Sequence, residues 1–363
     1  MPVLYGGLYD RDELRQHVGD ISQVASVRSV RLQDGPEDGV RALEFRTGSG
    51  LEFDVISDRG FDISGASYKG RSLAWRSACG DQHPSFYDPK GAGWLRTFAG
   101  GLLTTCGLTQ AGSPNVDNGE ELGVHGRVSH VPARDVAVLQ GWQGDDYVLQ
   151  ARGKVRECAV FGDNITLTRV ITSALGSKKL RIQDVVANES PNPRPHMILY
   201  HMNFGFPVVA EGSAIHAPTL ESRPRDAAAE EEAEQWMRMK APTGGFAERV
   251  YLHEMRPDDE GYVTVALVND GFPGGPFGIW IRYAAENLPC FTEWKMNGRQ
   301  TYVCGLEPGN CYPLGRAAER AAGRLVTLEP GEEQVYEIEV GVIDGEEDYH
   351  RIHQLITYRP KQA

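Results

Sequence analysis

The sequence predicts an all-β protein, a large antiparallel β-sandwich with few helices. Ten or more segments are enriched in β-branched or aromatic residues and partly alternate apolar with polar positions. Glycine supplies 42 of 363 residues, about 12% against a usual ~7%, so turns are frequent. Strand-like and helix-like segments do not alternate in the way that a doubly wound parallel sheet requires.

Taken in order, residues 9–17 (YDRDELRQH) read as a short helix, with Asp10 as its N-cap and Leu14 and Val18 four apart. The period then changes to strand-like. Strands are expected at 27–32, 40–46, 51–56, 136–139, 147–154, 165–172, 180–187, 262–268, 277–283 and 334–342. Breaks such as QDGPEDG (33–39), GDDY (144–147) and EPGEE (329–333) separate them. Residues 226–240 (DAAAEEEAEQWMRMK) read as a helical surface insert between strands. Its acids lie towards the N-terminal half and Arg238 and Lys240 at the other end, as the helix dipole favours. No linker or low-complexity tract divides the chain, so residues 1–363 are expected to form a single domain.

Lys and Arg total 37 and Asp and Glu 50, a net charge of −13. That acidic surplus argues against nucleic acid or an anionic membrane surface as a partner. The N-terminus shows no secretory pattern and no window approaches the ~18 apolar residues of a membrane span, so a cytoplasmic protein is expected. Six cysteines lie far apart without CxxC spacing and read as reduced thiols. GxxxxGK[ST], a strand-to-helix GxGxxG, GxSxG and HExxH are all absent, which removes the common nucleotide, serine-hydrolase and zinc-protease signatures.

Four segments remain in which chemistry could sit. SDRGFDI (57–63) carries Asp58 and Arg59 before Gly60, and an Asp–Arg pair closing a hairpin is its ordinary reading. GVHGR (123–127) sets His125 between glycines that let the backbone turn tightly against a ligand, although many such histidines are surface-loop residues. LYHMNFGFP (199–207) places His201 and Asn203 among aromatics, a composition suited to a polyol pocket and equally to a core histidine. FTEWKMNGRQTYVCGLEPGN (291–310) carries Glu293, Trp294, Lys295 and, at a strand end, Glu307.

Together these segments, with LAWRS (73–77) after the first and TYVCGLEP (301–308) within the last, resemble in their order the aldose 1-epimerase (galactose mutarotase-like) superfamily, and more closely a bacterial branch of it. The likeness spans nearly the whole chain. It implies the supersandwich fold and interconversion of sugar anomers by acid–base ring opening, with a small-molecule carbohydrate as partner and neither metal nor cofactor. His201 is similar to the family's general acid, Glu307 to its general base, and His125 to the histidine that holds the sugar. The chain reads His-Met-Asn-Phe where the family places the aromatic and asparagine in another order, which puts the pocket shape around Asn203 in question. Arg59, Arg76 and Arg127 compete for the sugar-binding arginine, and Asp270 stands for the aspartate. Trp294 and Lys295 belong to this branch and would select an acidic or modified sugar, and Glu293 with Lys295 would suit an isomerase or epimerase of an unusual or oxidised sugar. At their ordinary pKa values Glu307 would be ionised, and a nearby carboxylate would keep His201 protonated. Three other readings use the same residues: a non-catalytic carbohydrate-binding protein, an isomerase or epimerase acting on an unusual or acidic sugar, and a metal site of two histidines and one carboxylate. A homodimer is compatible with all of them.

Overall fold

The computed structural model describes residues 1–357. Period-two alternation builds its sheets. Along Asp146–Cys158 every second residue is buried, among them Tyr147, Leu149, Ala151 and Val155, while Arg152 between them is exposed. This strand lies in an eight-stranded antiparallel sheet ordered Arg134–Gln143, Asp146–Cys158, Asn164–Ala174, Lys179–Asn188, Glu333–Asp344, Phe277–Ala284, Tyr262–Asn269 and Ala214–His216. The expected strands from 136 to 187 and from 262 to 342 all fall in it. The first three expected strands form, with Asp62–Tyr68 and Arg71–Ser72, a five-stranded meander.

A further sheet runs Thr219–Pro224, Arg249–Met255, Cys290–Gly298, Thr301–Gly309, Arg194–Phe204 and Val326–Leu328, with Thr104–Leu108 also paired to Arg194–Phe204. It has two distinct faces. On Arg194–Phe204 the even positions Ile198, Tyr200, Met202 and Phe204 enter the main core with Leu167, Ile171 and Ile182 of the eight-stranded sheet. The odd positions Met197 and Leu199 belong to a separate cluster with Trp75, Trp94 and Phe98. Inside the main core lies one charged network. Arg169 bonds Asp184 at 2.6 and 2.9 Å and Asp62 at 2.6 Å, and the Tyr200 hydroxyl donates to Asp184 at 2.7 Å. Such a network stands buried only because each charge is paired and hydrogen-bonded.

The helix expected near the N-terminus is Arg11–His17. Asp10 and Glu13 close a capping box with bonds of 2.7 and 2.8 Å. The helix expected over 226–240 does not form as one unit. Asp226 caps a single turn, Ala227–Glu230, a 3-10 turn covers Ala233–Gln235, and the chain is then extended, with Met237 and Met239 bonded to Ile215, Ser213 and Gly212. Two short helices, Arg316–Ala321 and Glu346–Thr357, appear where the sequence suggested none. Among the described residues no helix is long and apolar enough to cross a membrane.

Candidate active site

The face of the second sheet that carries Met197 and Leu199 also carries His201, and register sets its neighbour. Leu199 pairs with Gly309 and Met202 with Leu306, which brings His201 beside Glu307; Thr292 pairs with Glu307 from the other side. Gly305, two residues before Glu307 on this face, leaves the space: a Cβ there would lie 2.7 Å from Glu307 Oε1 and 3.1 Å from Trp294 Cβ. Above this row opens a cavity of about 360 Å³, walled by Trp75, Trp94, Phe98 and Trp294 and reached by His125, Arg225 and Glu248.

His201 Nε2 lies 3.2 Å from Glu307 Oε1, with the two residues only 5% and 2% exposed. Phe98, Trp294 and His125 pack edge-on around the imidazole, with ring centroids 5.3, 5.3 and 5.5 Å away. Burial pushes the Glu307 carboxyl well above the usual carboxylate range; the Glu248 carboxylate adds to this and the Arg225 guanidinium opposes it. Burial likewise pushes His201 well down, helped by His125. Both shifts run against the ionisation expected from ordinary values, since burial favours the neutral form of each side chain. The pair holds one proton either way, because the ion pair and the neutral pair differ only in where it sits.

His125 occupies a left-handed turn, φ +57°, followed by Gly126 at φ +73°. Only glycine fits the second position, since a Cβ would lie 2.3 Å from the Gly107 carbonyl oxygen. The Gly112 N–H donates to His125 Nδ1 at 3.2 Å, so the neutral ring carries its hydrogen on Nε2. Burial lowers its pKa to about 4. At neutral pH His125 is therefore a hydrogen-bond donor without charge.

Two further groups reach the cavity from the 225–248 excursion. Arg225 Nη2 lies 2.8 Å from Glu248 Oε1, and Trp294 Nε1 donates to Glu248 Oε2 at 2.8 Å. Arg225 also bonds Asp226 through Nε at 2.9 Å, so its charge is balanced by two carboxylates.

His125, His201, Glu307 and Trp294 thus line one cavity, and the other residues singled out from sequence do not. Glu293 and Lys295 flank Trp294 on the strand, so alternation sends them to the opposite face. There Glu293 is buried 3.6 Å from His253, and Lys295 donates to the carbonyls of Gln235 and Trp236 at 2.9 and 3.4 Å. Asn203 is buried with its amide committed to the carbonyls of Gly101 and His201. Arg59 is buried behind the cavity wall, bonded to carbonyls and His130. Arg76 is exposed and paired with Asp81 at 2.7 Å. Arg127 is exposed at a separate depression beside Glu157. Asp270 is exposed, within electrostatic reach of His216 and Tyr349. Among the described residues no group of three or more His, Cys, Asp or Glu side chains could hold a metal ion.

Sequence reasoning missed Trp94, Phe98, Arg225 and Glu248. Arg225 and Glu248 stand at the feet of the excursion, which was read as surface, and their only sequence signal is their position just outside it.

A family model described as Domain of unknown function (DUF4432) matches residues 37–342. The chain belongs to this family. Among solved structures it is similar to a Klebsiella pneumoniae protein provisionally named an aldose 1-epimerase, with 25% identity, a TM-score of 0.88, and 93% of this chain and 89% of that one covered. Galactose 1-epimerase from Lactobacillus acidophilus is 11% identical with a TM-score of 0.60, over 89% of this chain and all of its own. A galactose mutarotase-like protein from Clostridium acetobutylicum gives 13% and 0.59, over 89% and 99%. A search of curated proteins gives no match. The fold expected from the resemblance is therefore that of this chain.

Proposed function

We propose that this DUF4432 protein is an aldose 1-epimerase-like isomerase that interconverts the anomers of a neutral sugar. The observation that carries the reading is the buried His201–Glu307 pair at 3.2 Å, at the base of a cavity large enough for a sugar. Ring opening takes the proton from the anomeric hydroxyl O1 and gives one to the ring oxygen O5; C1–O5 breaks and C1=O1 forms. In the ion-paired form of the couple, the Glu307 carboxylate accepts the O1 proton and the His201 imidazolium protonates O5. The couple is then in its neutral form, the one that burial favours, opposite an open-chain aldehyde. After rotation about C1–C2 the same steps run backwards and close the ring on the other face. His125 donates from Nε2 to a sugar oxygen, and Glu248 and Arg225 hold hydroxyls at the far end, with the aromatic walls against the apolar faces of the ring.

The balanced charge of Arg225 favours a neutral sugar. Lys295, the group expected to attract an acidic one, faces the other side of the sheet. Exchange spectroscopy by NMR on glucose, galactose and a set of acidic and deoxy sugars, with wild type beside Glu307→Gln, tests the reading. Acceleration by the wild type alone, greater for neutral sugars than for acids, is expected. Saturable binding to both proteins without acceleration of any sugar would replace the isomerase with a binding protein.

A further inference from the structure

Arg59 is 5% exposed, and among the described residues no carboxylate lies within ion-pair distance of it. Its guanidinium instead donates through Nη2 to the Thr97 carbonyl at 2.5 Å, through Nη1 to the Gln82 carbonyl at 3.2 Å, and through Nη2 to His130 Nε2 at 3.0 Å. Asp81 and Asp62 offset its charge only from beyond ion-pair distance, so the fork is held by its bonds to the two carbonyls and His130, and those groups are held by it.

Donor chemistry fixes the direction of the whole chain. Arginine can only donate, so His130 Nε2 accepts and the ring's hydrogen is on Nδ1. Nδ1 then donates to Ser129 Oγ at 3.1 Å. Tryptophan can also only donate, and Trp94 Nε1 reaches the same Ser129 Oγ at 3.2 Å. Burial and the Arg59 charge hold the His130 pKa down at about 2, so this wiring does not change with pH in the physiological range. His130 also stacks on Tyr87 at 4.2 Å, and the Tyr87 hydroxyl bonds the Gly126 carbonyl at 2.8 Å, in the turn that presents His125. Trp94 itself lies 4.8 Å from the His125 ring and 4.5 Å from Phe98.

We infer that Arg59 and His130 are positioning residues that fix the Trp94 indole against His125 as a rigid sugar platform. The inference rests on the isomerase reading for its kinetic consequence but not for its structural one. Arg59 touches no cavity atom; it acts on the sugar through Trp94.

The test is a double-mutant cycle on Arg59→Lys and Trp94→Phe, read by KM against kcat and by the near-ultraviolet circular dichroism of Trp94. Each single variant should raise KM about three- to tenfold, the worth of one aromatic contact, with kcat changed by less than about threefold. The double variant should be no worse than Trp94→Phe alone, because the lysine change then has no indole to misplace. The Trp94 dichroism band, taken as wild type minus Trp94→Phe, should shrink in the Arg59→Lys background.

His130→Gln, which can accept from Arg59 and donate to Ser129, should keep KM near wild type, whereas His130→Phe should not. This pair decides the matter if Arg59→Lys does not fold. Additive effects of the two changes on KM, or a Trp94 band untouched by Arg59→Lys, would overturn the inference. Should the wild type accelerate no sugar, the isomerase reading fails, and the Trp94 band still decides this one, kept by His130→Gln and diminished by His130→Phe.

Discussion

Replacing Glu307 with glutamine should abolish turnover and stabilise the protein, and the second effect should grow with pH. The wild-type carboxyl is 2% exposed, its Oε1 has no hydrogen-bond partner of good geometry, and its folded-state pKa stands well above the ordinary value near 4.5. A carboxyl raised in this way contributes stability that is fully present below about pH 4.5 and is lost as pH rises through the folded-state value. Glutamine has the same shape and no proton to lose. Between those two pKa values the stability gap between variant and wild type should therefore widen by about 1.4 kcal/mol for each pH unit. At roughly 2 °C per kcal/mol that is about 3 °C in Tm per pH unit. Over the same range turnover should fall by about 10²- to 10⁴-fold, the usual worth of one general acid or base. Scanning calorimetry of both proteins from pH 5 to 9 measures the gap. Parallel Tm curves would mean that Glu307 is ionised throughout, and either they or a gap that narrows as pH rises would refute a raised Glu307 pKa.

Activity against pH should be bell-shaped, with the acid limb set by His201 gaining a second proton and the alkaline limb by Glu307 losing the only one; a profile rising monotonically from pH 4 to 10 would contradict this. Glu248→Ala frees both Trp294 Nε1 and Arg225 and should raise KM about tenfold, while calorimetric Tm stays near wild type. Lys295→Met should lower stability by about 3 kcal/mol in urea titration, since it strands Glu232 Oε2 and two carbonyls, without changing the preference between glucose and a uronic acid; a changed preference would return Lys295 to sugar recognition. Arg169→Met leaves Asp62 and Asp184 unpaired in the core and should cost about 3–5 kcal/mol by the same titration.

The strands were legible because alternation survives wherever one face of a sheet is buried, as along Asp146–Cys158. His125, His201 and Glu307 were named from their motifs, and the structure brings them to one cavity. What failed was reading residues in blocks. Glu293, Trp294 and Lys295 were treated as one patch, although consecutive strand residues face opposite ways and only Trp294 reaches the cavity. The 226–240 segment has the composition of a helix. Tertiary bonds outweigh that propensity: Lys295 takes the Gln235 and Trp236 carbonyls, the Tyr251 hydroxyl takes that of Ala229, and Met237–Met239 bond to 212–215. No local signal marks Trp94 and Phe98, whose places are set by contacts made across the chain, Trp94 with Ser129 and His125 and Phe98 with Trp75, His201 and Trp294.

The excursion that carries Arg225 and Glu248 leaves Thr219–Pro224 and returns at Arg249–Met255, and these two strands are direct antiparallel neighbours, with Pro224 opposite Tyr251. It is topologically an oversized hairpin loop. It is tied back onto that sheet by Lys295, which takes the Gln235 and Trp236 carbonyls, by Tyr302, which takes that of Lys240, and by Thr243, which bonds Asn297. Arg225 and Glu248 thus reach the cavity from one loop while His201 and Glu307 stand on the strands beneath it, so on the isomerase reading a change confined to that loop alters the cavity mouth and leaves the acid–base pair in place.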